Sequence, residues 1–389
     1  CGITEKTLVM NDMPEKHHIY ADNAATTALD KTAFEAMTPW LLSEFGNPSQ
    51  PYSFARKPKK ALAEARAVIA GCIGALPEEI YFTSGGTESD NWAIKSPAFA
   101  DPLRRPMITS AFEHHAVLNS CAAIERLGYP VKYLNPTGDG RIDPQILADS
   151  ITDNTRLVSI MFANNEIGSV QPIKELCEIA HAHGALFHTD AVQAVGHVKI
   201  DVHELGVDML SASAHKFNGP RGIGFLYLRK GVELPPYADG GAQEHGHRAG
   251  TENVASIVGM AAALKLNCDS LEENQRKVRA LEKKLLSGLD AAGISYVRNG
   301  RDTLPGLISL SFAGFSGEAI LHRMDLMGIS ISTGSACDSV NTEISHVLKA
   351  IRLDESLAKG TIRISLGNDN REEDVDGILA ALRKIIVRV

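Results

Sequence analysis

The residues best able to do chemistry fall just after apolar runs. Asp190 closes ALFHTD, Lys216 follows VDMLSAS within SAHKFNGPRGIG, and Gly85-Gly86-Thr87 follow EIYFTS within SGGTESDN. A carboxylate at the end of an apolar strand is costly to bury without a cation, so Asp190 asks for a partner. A lysine between an apolar strand and a Gly-rich turn can lose its proton readily and attack an aldehyde, although a lysine taken alone is far more often a surface group than a catalyst. Free amides at a helix start, with the Thr87 hydroxyl beside them, make a cup for an anion; the same residues also suit an ordinary helix cap. His114 in EHHAV offers a stacking or acid/base ring or simply caps a helix, and Asn164-Asn165 in NNEIG can do no more than turn the chain. Together the set asks for a phosphate, a protonated ring nitrogen and an aldehyde. Pyridoxal phosphate carries all three, the phosphate for Gly86 and Thr87, the ring nitrogen for Asp190 and the aldehyde for Lys216. A separate thiol, Cys337, stands in ISTGSACDS among residues too small and polar to bury it.

Such groups need a scaffold that ends many strands along one edge. Runs with strand character at 79–84, 106–111, 156–163, 185–190, 207–213 and 222–228 alternate with helical stretches such as HAVLNSCAAIERLG and QPIKELCEIAHAHG. That alternation predicts a largely parallel α/β sheet covered by helices, with functional groups at the carboxyl ends of the strands. After Thr251 an Ala/Leu/Lys/Glu-rich helical region runs to about Gly293. Beyond it GISYVRN, GLISLSF and TIRISLG read as strands, with helices near 317–327, 343–351 and 371–386, which predicts a second, smaller α/β domain.

Composition removes several alternatives. A net charge of -8 over 389 residues argues against a general nucleic-acid binder, which would present positive potential to phosphates. No run reaches the ~18 apolar residues that cross a bilayer, and CGITEKTLVMNDMPEKHH lacks an apolar signal core, so a cytoplasmic protein with no membrane role is expected. Met10 or Met13 can serve as the natural start. The six cysteines show no CxxC spacing, which disfavours a disulfide framework or a cysteine-based zinc site. Cys72, Cys121 and Cys177 sit in helical apolar patterns and read as core; Cys337 does not. GPRGIG at 219–224 lacks the dinucleotide spacing, the pairs His181/His183 and His245/His247 lack a third ligand, and TGSAC is not a GxSxG elbow. No metal is expected.

With those residues in place, the sequence closely resembles the cysteine desulfurases of the NifS/IscS type, class-V aminotransferase-like enzymes of fold type I that use pyridoxal phosphate. The likeness runs from about Tyr20 to Leu366 and rests on YADNAATT, FGNPSQPYSFAR, TSGGTESDN, NNEIGSVQPI, HTDAVQAVG, SASAHKFNGPRGIG, HRAGTEN, STGSACDS and TIRISLG. It implies a large domain over 25–265 with a mostly parallel seven-stranded sheet, and a small domain from 1–24 and 266–389 carrying the Cys337 loop and Arg363. By the resemblance Lys216 bonds to the cofactor, Asp190 pairs with its ring nitrogen, and His114 stacks on the ring and shuttles protons. Asn165 and Gln193 hydrogen-bond the phenolic oxygen; Gly86, Thr87, Ser213 and His215 hold the phosphate, and Thr251 reaches it from the other subunit of a homodimer. Asn23 and Arg363 bind the carboxylate of L-cysteine, and Cys337 accepts its sulfur.

The activity so implied takes sulfur from L-cysteine, leaves L-alanine and a persulfide on Cys337, and passes the sulfur to an acceptor or scaffold protein for iron–sulfur cluster assembly or thiolation. A selenocysteine lyase is the competing enzyme reading, and a non-catalytic sulfur-transfer scaffold the competing class. The presence of Lys216, His114, Cys337 and Arg363 together argues against the scaffold. Departures from the family are few: Ala242, His245 and His247 stand where glycine and arginine are frequent, and Thr333 stands where serine is common.

Overall fold

The computed structural model describes residues 18–333 and 344–386, so Cys337 lies outside the described residues. The first strand, β1 (Ile19–Tyr20), is followed by β2 (Ile80–Thr83), β3 (Met107–Ser110), β4 (Val131–Leu134), β5 (Leu157–Ser159), β6 (Leu186–Asp190), β7 (Met209–Ser213) and β8 (Gly224–Leu228). Seven of these form one sheet in the order β2-β8-β7-β6-β5-β3-β4. It is parallel except at β8, which runs antiparallel to both β2 and β7. All of the predicted strands are present; β4 was missed, because this edge strand pairs only with β3 and keeps Lys132 in solvent.

Successive strand residues point to opposite faces, and both faces here are covered. Ile108, Val158, Phe187, Leu210 and Phe225 belong to one core, with residues of the helices Arg56–Ile73, Ile173–Ala182 and Val254–Asp269. Met107, Leu157, Met209 and Leu226 face the other way, under Trp92, Ile94 and Val117 from the helices Gly86–Phe99 and His115–Glu125. Three layers result, with the carboxyl ends of β3, β5, β6 and β7 at one edge.

The helical region after Thr251 is two helices, Val254–Asp269 and Leu271–Ala291, set at 72° to each other. The first lies in the core beneath the large sheet; the second turns an apolar stripe of Val278, Leu281, Leu285 and Leu289 to a separate core. A single straight helix cannot serve both. That second core also takes Ile19, Ile308, Ile362 and Ile378. There β9 (Val297–Asn299), β10 (Leu307–Ser311) and β12 (Thr361–Ser365) form an antiparallel sheet in the order β12-β10-β9, while β11 (Ile329–Ser330) pairs parallel with β1. Among the described residues no single helix is long and apolar enough to cross a membrane.

Candidate active site

The loops that leave β2, β3, β5, β6 and β7 converge on a cavity of about 520 Å³. Its lining includes Gly86, Thr87, His114, Asn165, Asp190, Gln193, Ser213, His215, Lys216 and Arg363, ten of the candidate residues. Asn23 and Thr251 are not among them. Asn23 turns its amide to the Ser365 carbonyl at 2.8 Å and to Asn370, and it lines a different pocket, although its neighbours Ala24, Ala25 and Thr26 do reach the main cavity. Thr251 is exposed and borders an adjoining cavity of about 210 Å³.

Backbone geometry explains the wall at the start of the helix Gly86–Phe99. Gly85 takes φ 149° and ψ -179°, a conformation that side chains forbid. A Cβ on Gly86 would stand 2.5 Å from Val192 Cγ2. Glycine at both places lets the first turn lie against the β6 loop, and the first-turn amides of that helix have no acceptor inside it. The hydroxyl of Ser213 faces the same glycines, its Oγ lying 3.5 Å from the Cβ position of Gly85.

Lys216 sits in the short turn Ala214–Lys216 directly after β7 and donates from Nζ to the carbonyls of Ala24 and Ala25 at 2.6 and 2.8 Å. Gln193 also donates to the Ala24 carbonyl, at 2.9 Å. His114 caps the helix His115–Glu125, its Nδ1 accepting from the Ala116 amide at 3.1 Å, so the neutral ring carries its hydrogen on Nε2. Burial holds this imidazole below its usual range. Burial likewise lowers His215, to about 4, with Lys216 and Arg221 adding to the push.

The asparagine pair divides its work. Asn164 is the turn residue, its Oδ1 accepting from Glu166 and Ile167 amides and its Nδ2 donating to Phe112. Asn165 lines the cavity, and its Oδ1 is buried without a hydrogen-bond partner among the described residues. Arg363, on β12, is 4 % exposed and already engaged: Nη1 donates to the Asn165 carbonyl at 2.8 Å and Nη2 to Asp22 at 2.7 Å. Its Nε is buried with no hydrogen-bond partner among the described residues. Two residues lining one cavity thus carry orphaned buried polar atoms, one acceptor and one cationic donor, which favours a polar ligand bearing a hydrogen-bond donor and an anionic group.

Both described flanks of the segment holding Cys337 are tied to this site. Ser332 and Arg363 exchange backbone hydrogen bonds, the Ser332 amide donating at 3.0 Å. On the far side the Ser345 hydroxyl donates to Glu166 at 2.5 Å, and His346 Nε2 bonds the Glu113 carbonyl at 2.9 Å. Asp22, Asp90, Glu113 and Arg221 were missed by sequence reasoning. Arg221 had a usable signal, a lone cation in the turn that follows Lys216.

The other histidines are accounted for differently. His181 and His183 bond separate carboxylates, Asp208 at 2.8 Å and Asp153 at 2.6 Å. His245 and His247 pack edge-on against Tyr81, apart from the cavity lining. His188, on β6, is fully buried, its nitrogens facing Ser159 Oγ at 2.8 Å and Ser211 Oγ at 3.0 Å. Burial drops its pKa from 6.5 to about 3. Between those values the unfolded chain binds a proton that the folded chain refuses, so stability present above pH 6.5 is lost as pH falls, by about 1.4 kcal/mol per pH unit. His188→Gln keeps a neutral polar group there and should flatten the acid limb of a stability-versus-pH curve by that slope, measured by urea unfolding. An unchanged slope would contradict the assignment.

Comparison with known proteins gives a consistent neighbourhood. A family model described as aminotransferase class-V matches residues 19–378. A protein of Methanosarcina thermophila named cysteine desulfurase IscS is 47% identical over 97% of this chain and 94% of its own length. One of the same name from Dictyoglomus turgidum is also 47% identical, over 96% of each chain. A solved NifS-like protein superposes with a TM-score of 0.90 at 36% identity, covering 96% of this chain and 100% of its own. A solved structure described as SspA in complex with cysteine gives 0.81 at 38% identity, covering 90% of this chain and 99% of its own.

Proposed function

The chain belongs to the class-V aminotransferase family, and from that premise we propose that it is a pyridoxal-phosphate-dependent cysteine desulfurase that converts L-cysteine to L-alanine and leaves a persulfide on Cys337. The observation that carries this reading is the meeting of Lys216, Asp190 and the first turn of the helix Gly86–Phe99 around one cavity. An amine, a buried carboxylate and an anion cup are what the aldehyde, ring nitrogen and phosphate of that cofactor require. The unpaired Oδ1 of Asn165 suits a ring hydroxyl, and Arg363 suits a substrate carboxylate.

When bound, pyridoxal phosphate supplies an aldehyde that condenses with amines and a ring that accepts electron density from the substrate α carbon. The protein's own groups do the rest. Lys216 Nζ, the amine that would hold the cofactor's aldehyde, would when free take the substrate's α proton. His114 holds a hydrogen at Nε2, on the nitrogen not used by the Ala116 amide, and is placed to exchange it within the cavity. The Cys337 thiolate attacks the substrate sulfur; an S–S bond forms, the carbon–sulfur bond breaks with its electrons left on carbon, the β carbon takes up a proton, the α carbon regains the proton held by Lys216, and alanine leaves. Arg363 fixes the substrate carboxylate, using Nε or exchanging the Asp22 contact.

A homodimer belongs to the same reading. Thr251 borders a neighbouring cavity and not its own chain's phosphate cup, as a residue contributed to a second copy would. Exposed Leu41, Leu42 and Phe45 offer apolar surface to that copy. Free thiols at Cys72, Cys121, Cys177 and Cys268 suit a reducing, cytoplasmic setting. The sulfur would then pass to an acceptor protein, with iron–sulfur cluster assembly as one destination. The test is direct: purified protein loaded with the cofactor is yellow, and L-cysteine with a reductant yields alanine and sulfide in equal amounts. Alanine from selenocysteine and none from cysteine would move the assignment to a selenocysteine lyase.

A further inference from the structure

Behind Asp190 lies a second carboxyl that the mechanism does not use. Asp90 sits in the second turn of the helix Gly86–Phe99, is 1 % exposed, and lines the cavity floor. Side-chain ligand atoms of Asp90, His114 and Asp190 all lie within 4.8 Å of one another. The residues of β6 and β7 that point to this helix make the remainder of the nest: His188 Nε2 stands 3.7 Å from Asp90 Oδ1, and the Ser211 hydroxyl lies between the same groups.

Two carboxyls this close and this buried cannot both ionise without a cation. Asp90 has none. His188 stays neutral, since burial holds it near a pKa of about 3. Asp190 has claims on the available partners: its Oδ1 accepts from the Val192 amide at 2.9 Å, and both His114 and Lys216 act on it electrostatically. Asp90 Oδ1 has no hydrogen-bond partner among the described residues, and the carboxyl is supported by the Ser211 hydroxyl. The other charged group felt by Asp90 is Glu113, itself a buried carboxyl pushed up to about 8 by burial. Burial raises both carboxyls, but Asp90 has only the Ser211 hydroxyl to support a charge while Asp190 has the Val192 amide, His114 and Lys216, so the proton falls to Asp90 and the single negative charge to Asp190.

We propose that Asp90 is a neutral carboxylic acid of the cofactor site, a positioning residue that leaves Asp190 as the only charged carboxylate facing the ring nitrogen. The idea rests on the cofactor reading above. It makes the pair a graded device: a charged Asp90 would repel Asp190 and favour protonation there, whereas an apolar residue would remove the polar support that orients it.

The experiment compares wild type with Asp90→Asn and Asp90→Leu, with and without pyridoxal phosphate. Infrared difference spectra of wild type against Asp90→Asn at pH 8 should show the carbonyl band of a protonated carboxylic acid, shifting in heavy water, in both the cofactor-free and loaded protein. The dissociation constant for pyridoxal phosphate should stay within about twofold for Asp90→Asn, the neutral isostere, and rise about tenfold for Asp90→Leu, with the pH at which the bound chromophore titrates displaced. A carboxylate band in place of the acid band, as an ionised pair bridged by a metal ion would give, overturns the proposal. So does an Asp90→Leu protein that binds the cofactor as tightly as wild type with an unmoved titration. The infrared measurement needs no cofactor, so a wild type that stays colourless with pyridoxal phosphate while showing the acid band counts against the cofactor reading and not against the buried acid.

Discussion

Lys216→Ala protein, loaded with pyridoxal phosphate and washed, should lose the yellow colour that survives washing in the wild type, and its desulfuration of cysteine should fall by about 10³-fold or more. Two losses combine. The first is the covalent bond between Nζ and the cofactor aldehyde, which no other described lysine is placed to replace in the cavity lining. The second is the base for the α proton. The protein should remain folded, because Nζ bonds carbonyls of the cavity wall, those of Ala24 and Ala25, and Gln193 still serves Ala24 after its removal. Retention of the colour with an unchanged absorption spectrum would remove Lys216 from its role.

Cys337→Ala should behave in the opposite way toward the cofactor. The colour, the affinity for pyridoxal phosphate and the spectral response to cysteine should stay, while sulfide and alanine production falls by about 10³-fold or more. The separation follows from where the chain is anchored. Cys337 lies outside the described residues, but the residues on either side are held at the edge of the cavity, Ser332 by Arg363 and Ser345 by Glu166, so the segment between them begins and ends beside the substrate-binding wall. In the proposed reaction Cys337 serves the substrate sulfur and not the cofactor. Sulfide release at the wild-type rate would show that the sulfur leaves by another route. Taken together the two variants divide the reaction into cofactor chemistry and sulfur transfer.

Much of this site was legible because its residues stand at strand ends. The strand ending at Ser213 is buried along its whole length and the one ending at Asp190 from Phe187 onward, so their apolar runs were long enough to mark, and the chemical residues at or just past their ends were conspicuous. Other features depend on contacts that a linear pattern does not carry. Nothing in NNEIG distinguishes Asn164, which bonds the turn's own amides, from Asn165, which lines the cavity. Asp90 sits in a polar run, TESDN, that reads as the solvated start of a helix; only the packing of that helix against β6 and β7 buries it. Asn23 was expected at the substrate and instead ties Ser365 and Asn370 together, while Asp22 beside it takes the Arg363 contact. The two neighbouring side chains take different partners, and the sequence alone does not say which of them meets Arg363.

The most direct test of the central claim is the mass of the peptide that contains Cys337 after cofactor-loaded protein meets L-cysteine without any reductant. The account predicts a peptide heavier by one sulfur atom, with the addition on Cys337 and removed by dithiothreitol, and alanine released in equal amount. An unmodified Cys337 peptide accompanied by alanine formation would contradict it.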